Sequence, residues 1–123
     1  MLVEELYTVE HIQTDATIIR AVLVVNASHE IFKGHFPEVP VLPGVCMVQC
    51  IKELIETVYN VQSSIEKADM IKFLSMLNPL ESNRMHAEII IRDKTESQIT
   101  FQATLKNEDH FLLKYSGNLL LVK

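Results

Sequence analysis

Hydrophobic residues recur three and four positions apart from about residue 43 to residue 59, a spacing that predicts an amphipathic α-helix. The residues on this face are Val45, Val48, Ile51, Leu54, Ile55 and Val58. The second half also carries a polar side, formed by Lys52, Glu53, Glu56 and Thr57. In the first half Gln49 is the one strongly polar residue between positions 45 and 51, so we expect protein to surround that half on all sides.

The stretch 16–25 (ATIIRAVLVV) is rich in β-branched residues, and it is too short and too apolar for an amphipathic helix. It therefore predicts a buried strand. A polar break follows at 26–28, and residues 29–32 are predicted to form a short helical turn capped by Asn26 or Ser28. His29 is interpreted as a surface or capping residue.

Downstream of the helix, four segments have the composition of strands: 68–77, 85–93, 98–107 and 110–122. The breaks between them are short and polar, as antiparallel neighbours require. One strand, one long helix and then several strands is an α+β order, in which a curved antiparallel sheet packs one face on the helix. We expect a single domain over residues 1–123, because the chain contains no visible repeat or linker.

A stiff loop precedes the helix. Segment 35–45 (HFPEVPVLPGV) contains three of the four prolines of the chain, and each proline fixes φ and lacks a backbone donor. The loop begins at His35, a titratable ring, and ends at Pro43-Gly44, where the exposed amides of a helix N-terminus are expected. This arrangement predicts a site that holds a polarised ligand between the ring and the amides.

Charge and composition limit the classes of partner. The 123 residues carry a formal charge of −5, and the lysines and arginines are scattered, which argues against nucleic acid and anionic membranes as partners. Docking to an acidic carrier protein through a local basic patch remains compatible with this balance. The start of the chain does not resemble a signal peptide, and no apolar run approaches membrane-spanning length, so a cytoplasmic location is expected.

The two cysteines, Cys46 and Cys50, are four residues apart on the predicted helix and share a face. A disulfide there would constrain almost nothing, so a reduced pair is expected. A metal site would need two further ligands at recognisable spacing, and we therefore expect neither a metal nor another cofactor. Cys46 lies where the helix dipole favours a thiolate, but an inert buried thiol is the preferred interpretation.

Segment 35–45 resembles the active-site segment of the 3-hydroxyacyl-[acyl-carrier-protein] dehydratases, which have the hot-dog fold. Phe32-x-Gly34 before it, and 71–73 and Asn78-Pro79 after it, are similar to the family pattern as well. The resemblance implies a sheet wrapped around the helix and a substrate carried as a thioester on acyl carrier protein or coenzyme A. It also implies a dimer, expected to be a homodimer, whose two sites each use both subunits.

By the same resemblance, His35 corresponds to the general base that removes a proton from C2 of the acyl chain. Gly44 corresponds to the amide that binds the thioester carbonyl oxygen. Phe36, Pro43 and Val45 correspond to neighbouring substrate-binding positions. A helix N-terminus suits the negative charge that develops on that oxygen, and a histidine suits proton removal near neutral pH.

The chain departs from the family at two positions. The position fourteen residues after the histidine, where the dehydratases have the Glu or Asp that protonates the leaving hydroxyl, is Gln49. A side-chain amide is not a general acid in this pH range. Glu38 replaces a glycine three residues after His35, where it orients the ring, substitutes for the missing acid or lies in solvent. Gln49 itself either makes a structural hydrogen bond or faces the substrate tunnel.

These features predict a protein that binds acyl thioesters and has weak or altered dehydratase activity. One alternative is a thioester hydrolase, in which Gln49 orients a water that His35 or Glu38 activates. The other is a non-catalytic acyl-binding subunit that forms a heterodimer with an active relative.

Overall fold

The computed structural model describes residues 5–33 and 40–122. This part of the chain contains one long helix, one 3₁₀ turn and six strands. The elements are β1 (Tyr7–Asp15), β2 (Ile18–Val25), a single 3₁₀ turn (Glu30–Phe32), α1 (Gly44–Tyr59), β3 (Gln62–Phe73), β4 (Arg84–Lys94), β5 (Gln98–Asn107) and β6 (His110–Val122).

The six strands form one antiparallel sheet in the order β1-β2-β4-β5-β6-β3. The hairpin turns carry the strained residues that tight reversals need, with Ala16 at φ 50° and Glu108 at φ 54°. β1 and β3 are the two edges of the sheet. In the chain α1 lies between β2 and β3, which are second and last in the order of strands across the sheet.

One face of the sheet packs on α1. Buried and more exposed residues alternate along β2, β4 and β5, as expected for strands with one face on the core. The buried residues of α1 belong to the same hydrophobic cluster as the inward residues of these strands. The aromatic pair Phe101 and Tyr115 packs edge to face in this core, with ring centroids 4.9 Å apart. The expected α+β arrangement, a sheet around one long helix, is confirmed.

The helix, β2 and the last three strands agree closely with the sequence predictions, and β5 and β6 match them residue for residue. Two predictions were wrong. β1 was not predicted at all, and the strand predicted at 68–77 runs instead from Gln62 to Phe73. Both are edge strands that are mostly exposed on both faces, so neither carries the alternation that marks a half-buried strand.

The short helical turn is present, but its cap was predicted at the wrong residue. His29 is the N-cap, and its Nδ1 accepts a hydrogen bond of 3.0 Å from the amide of Ile31. The side chain of Asn26 instead accepts from the amide of Ser28 and shapes the preceding bend. The capping role suggested for His29 is therefore confirmed.

Candidate active site at the start of the helix

The helix α1 begins with amide groups that no described residue occupies. Pro43 is its N-cap, and no side chain caps it. The carbonyl of Pro43 accepts from the amides of Cys46 and Met47, at 3.0 and 3.4 Å. Within residues 5–33 and 40–122 neither Gly44 nor Val45 has a hydrogen-bond partner for its amide. The first turn also lacks an acidic residue, so the positive end of the helix dipole is available to an oxyanion.

A groove of about 340 Å³ opens at these amides. Its walls include Leu42, Pro43, Gly44, Val45, Phe73 and Met76. Three of its apolar side chains are strongly exposed in the single chain: Val45 (73%), Phe73 (55%) and Met76 (77%). An apolar groove beside unpaired amides suits a ligand with a polarised carbonyl and a hydrocarbon chain.

Hydrogen bonds between distant segments hold the two walls of the groove together. The amide of Leu42, just before the helix, donates to the carbonyl of Leu77 at 3.0 Å. The far wall is fixed to β6, because the amide of Leu74 donates to the carbonyl of Leu112 at 2.9 Å. The hydroxyl of Ser75 likewise donates to the carbonyl of Phe111 at 2.7 Å. The segment after β3 is therefore anchored even though it is not a strand.

Beyond the groove, one face of α1 passes from solvent into the core. Val45, Gln49 and Glu53 follow one another at intervals of four residues and so lie on neighbouring turns of that face. Val45 is strongly exposed, Gln49 is partly buried, and Glu53 retains 1% of its accessible surface. The expectation that protein surrounds the first half of the helix is wrong for Val45, although Cys46 and Met47 beside it are buried.

The side chain of Gln49 makes a hydrogen bond within the protein, as its structural interpretation predicts. Its Nε2 donates to Oε2 of Glu53 at 2.9 Å, and within the described ranges its Oε1 accepts no hydrogen bond. From the sequence, Glu53 was predicted to lie on the solvent-exposed polar side of the helix. This prediction was wrong, because its carboxylate is buried beside the core. The sequence carried one usable signal: Glu53 follows Gln49 by four residues and therefore shares its face.

A second donor reaches Glu53 from the far end of the chain. The hydroxyl of Tyr7, in β1, donates to Oε1 of Glu53 at 2.9 Å. Burial, the nearby Cys50 thiol and the hydrogen bond to Glu53 all raise the pKa of Tyr7 far above its ordinary value. Tyr7 therefore stays protonated and acts as a donor to the carboxylate throughout the physiological pH range.

The two cysteines are buried free thiols. Burial raises the pKa of Cys46, and burial together with the charge of Glu53 raises the pKa of Cys50. Neither thiol has the lowered pKa of a nucleophile, so both act as small apolar side chains of the core. The inert interpretation of Cys46 is the one these observations favour.

Three predicted site residues, His35, Phe36 and Glu38, lie outside the described residues. The other predicted positions can be placed. Pro43, Gly44 and Val45 come together at the groove, and Gln49 lies one turn further along the helix from Val45.

A larger depression of about 510 Å³ lies on the outer face of the sheet, and no residue predicted for the site lines it. Its main charged pair, Arg20 and Glu88, is joined at 3.2 Å and is self-neutralising. Among residues 5–33 and 40–122, no three His, Cys, Asp or Glu side chains are grouped so as to hold a metal. The helices described there are also too short or too polar to cross a bilayer.

Comparison with known protein families identifies the family of this chain. The family model for ApeI-like proteins, described as ApeI dehydratase, matches residues 11–114, a range that contains the helix, the groove and Gln49. The chain belongs to the ApeI-like family. The resemblance to acyl-thioester dehydratases inferred from segment 35–45 is thus confirmed at the level of the family.

Curated relatives of this ApeI-like chain include 3-hydroxyacyl-[acyl-carrier-protein] dehydratases named FabZ. The FabZ of Listeria welshimeri is 38% identical over 53 residues, which cover 43% of this chain and 34% of the relative. The FabZ of Psychrobacter arcticus is 39% identical over 41 residues, or 33% of this chain and 28% of the relative. The matched segment thus spans about a third of the length of these relatives or less.

Solved structures identify the fold. A chain of the dehydratase heterocomplex ApeI:P from Xenorhabdus doucetiae superposes with a TM-score of 0.73 at 24% identity, covering 93% of this chain and 97% of that one. A hypothetical thioesterase with coenzyme A from Streptococcus pneumoniae superposes with a TM-score of 0.68 at 9% identity, covering 94% and 85%. The ApeI-like chain therefore has the hot-dog fold.

Proposed function

We propose that this chain binds an acyl thioester, presented on acyl carrier protein or coenzyme A, in the groove at the start of α1. The observation that carries the proposal is the pair of amides at Gly44 and Val45, which have no partner among the described residues and lie at an apolar groove. The thioester carbonyl oxygen would accept from the Gly44 amide, and the acyl chain would lie against the apolar walls. Pro43 and Val45 would frame the carbonyl, and Phe36 is proposed as a further substrate-binding residue.

In this proposal the chemistry begins as in a dehydratase. His35 takes a proton from C2 of the acyl chain, and the start of the helix stabilises the charge that develops on the thioester oxygen. Completing a dehydration requires a proton for the departing 3-hydroxyl. Gln49 stands where that acid is expected, and its NH₂ group already donates to Glu53. Losing a general acid typically costs about 10²- to 10⁴-fold in rate, so dehydratase activity should be weak or altered.

Thioester hydrolysis is the second candidate, and one observation favours it. With the NH₂ group of Gln49 bonded to Glu53, the Oε1 atom is left as an acceptor that can orient a water molecule. His35 or Glu38 would then remove a proton from that water for attack on the thioester carbonyl. The structural relative with coenzyme A described as a hypothetical thioesterase shares this fold but only 9% of its sequence.

The exposed edge of β3 supports a dimer as part of the proposal. β3 is an edge strand of twelve residues, with the apolar side chains of Ile65 and Ile71 exposed along it. A second copy pairing there would make a homodimer, in which Gln49 of the partner subunit completes each groove. A heterodimer with an active relative is the alternative, and the ApeI:P neighbour is itself described as a heterocomplex.

The experiment that tests this function separates the three activities. Purified chain is incubated with 3-hydroxyacyl and 2-enoyl thioesters of acyl carrier protein and of coenzyme A, and dehydration, hydration and thiol release are followed independently. His35→Ala should abolish whichever turnover is present, whereas the matched control His29→Ala should not, because His29 only caps the short helix.

The outcomes distinguish the candidates. Slow dehydration and hydration that depend on His35 support the dehydratase-like function, and thiol release that depends on His35 supports the hydrolase. Binding of acyl carrier thioesters without turnover supports the non-catalytic partner subunit. Absence of both binding and turnover with every thioester refutes the proposed function.

A further inference from the structure

The buried carboxylate of Glu53 has no role in the proposed chemistry, yet it touches the residue on which that chemistry depends. It receives the NH₂ group of Gln49 and the hydroxyl of Tyr7, each at 2.9 Å. It retains 1% of its accessible surface, whereas Gln49, one helical turn closer to the start of α1, is only partly buried. A buried acid kept at this position needs an explanation in terms of what it does to its neighbours.

We propose that Glu53 and Tyr7 are positioning residues that hold the Gln49 amide by its NH₂ group, so that its Oε1 atom meets the ligand. The site then recognises a group that donates a hydrogen bond, either the 3-hydroxyl of an acyl chain or a water molecule. This inference rests on the proposed function for the identity of the ligand, and on the structure for the orientation of the amide.

The orientation follows from the chemistry of the three groups. An ionised carboxylate only accepts hydrogen bonds, so it binds the NH₂ end of an amide and excludes the oxygen end. The two donors reach different oxygens, Tyr7 donating to Oε1 and Gln49 to Oε2. The backbone of Glu53 is fixed as well, because its carbonyl accepts from the hydroxyl of Thr57 at 2.8 Å. A Gln49 side chain turned the other way would place two acceptors in contact.

The consequence is a preference among substrates. A ligand with a 3-hydroxyl can donate to Oε1 of Gln49, whereas the corresponding saturated acyl chain cannot. The direction of this hydrogen bond is opposite to that at a protonated acid, which would donate to the hydroxyl oxygen. The chain should therefore bind 3-hydroxyacyl thioesters about fivefold to tenfold more tightly than saturated acyl thioesters of equal length.

Two measurements test this inference. The first is the ¹H,¹⁵N spectrum of the side-chain amides, in which the Gln49 signals are assigned by their loss in Gln49→Met. Those signals should move in both Tyr7→Phe and Glu53→Gln, and stay in place in Glu56→Gln. Glu56 is a matched control, since it is a partly buried helix carboxylate one turn further on that bonds Lys52 and Ser63 instead.

The second measurement is the ratio of dissociation constants for a saturated and a 3-hydroxyacyl thioester of coenzyme A. Tyr7→Phe and Glu53→Gln should each lower this ratio toward one. In a Gln49→Met background neither change should lower it further, because both act through Gln49. A residue with a purely structural role would weaken both ligands equally in either background.

The outcomes keep the two proposals apart. If the Gln49 signals do not move in Tyr7→Phe and Glu53→Gln, the positioning role is refuted whether or not thioesters bind. If they move but the ratio is unaffected, recognition through Oε1 is refuted. If the wild-type chain binds neither thioester, the proposed function fails, while the spectrum still decides whether Glu53 orients Gln49. Should Glu53→Gln fail to fold, Tyr7→Phe supplies the same test.

Discussion

A Cβ atom on Gly44 would lie 2.6 Å from the ring of Phe73, closer than side chains approach one another. The requirement for glycine here is therefore a matter of space, since its φ is not positive. The ring that excludes a side chain also forms a wall of the groove, so the start of α1 and the end of β3 are fitted to each other at the proposed site of the thioester carbonyl.

We expect Gly44→Ala to displace the ring of Phe73 from the wall of the groove and to weaken acyl thioester binding about tenfold, which corresponds to about 1.4 kcal/mol. Stability should change little, because the ring is half-exposed and can swing outward. Calorimetric titration and thermal melting of the same variant check the two parts. In Phe73→Ala, where the ring is absent, adding Gly44→Ala should have little further effect, and equal losses in both backgrounds would contradict the account.

The second glycine with a steric role is Gly117 in β6. A Cβ atom there would overlap the backbone carbonyl oxygen of Lys67 in β3. Backbone cannot swing aside, so Gly117→Ala should destabilise the fold by about 1 to 3 kcal/mol and loosen the β3 edge. Urea unfolding measures the loss, and Ser116→Ala on the adjacent position is the control. A Gly117→Ala variant as stable as Ser116→Ala would show that β3 does not pair as described.

Stability should fall at alkaline pH, and Tyr7 should contribute to the slope. The folded chain raises the pKa of Tyr7 above the value of 10.0 that it has when unfolded, so above that pH the unfolded state loses a proton that the folded state keeps. The free energy of unfolding is then lost as pH rises, by about 1.4 kcal/mol per pH unit for one such proton. Tyr7→Phe should remove about 1 kcal/mol of this loss between about pH 10 and 11, where the unfolded tyrosine is only partly ionised. Identical slopes in the two proteins would contradict the burial of its hydroxyl.

The sequence predicted most of the fold because hydrophobic periodicity reports burial. β5 alternates buried and more exposed residues along most of its length, and polar turns bound it on both sides, so its limits could be predicted residue for residue. β1 was missed because His11 and the residues after it are exposed on both faces of an edge strand. Only its first residues, Tyr7 and Val9, contact the core, so the rest of the strand leaves no pattern in its side chains.

The candidate site was predicted in part for a related reason. The unusual proline loop and the helix start at Gly44 are local in sequence, so both could be found there. Glu53 was predicted to lie on the solvent-exposed face of the helix, because a carboxylate is rarely buried unless it is paired. Its partner Tyr7 lies 46 residues away, and a contact of that separation depends on the packing of β1 against α1.

Restoring an acid at position 49 tests whether its side chain contacts Glu53, because two carboxylates in contact would repel each other. Gln49→Glu alone would place a second carboxylate in contact with that of Glu53, since the present contact is 2.9 Å. Two carboxylates this close share a proton, which raises the pKa of one of them and costs stability. We expect this variant to melt at a lower temperature than wild type, and to recover when the pH is lowered. A melting temperature unchanged by pH would contradict the contact between the two side chains.

The most direct test exchanges the two side chains. Gln49→Glu combined with Glu53→Gln preserves one amide–carboxylate contact while it moves the carboxyl group to the groove. If the amide at position 49 is what limits dehydration, the exchanged protein should dehydrate 3-hydroxyacyl thioesters at least about 10²-fold faster than wild type, and His35→Ala should abolish the gain. An exchanged protein that folds, binds the thioester and gains no activity would contradict the account.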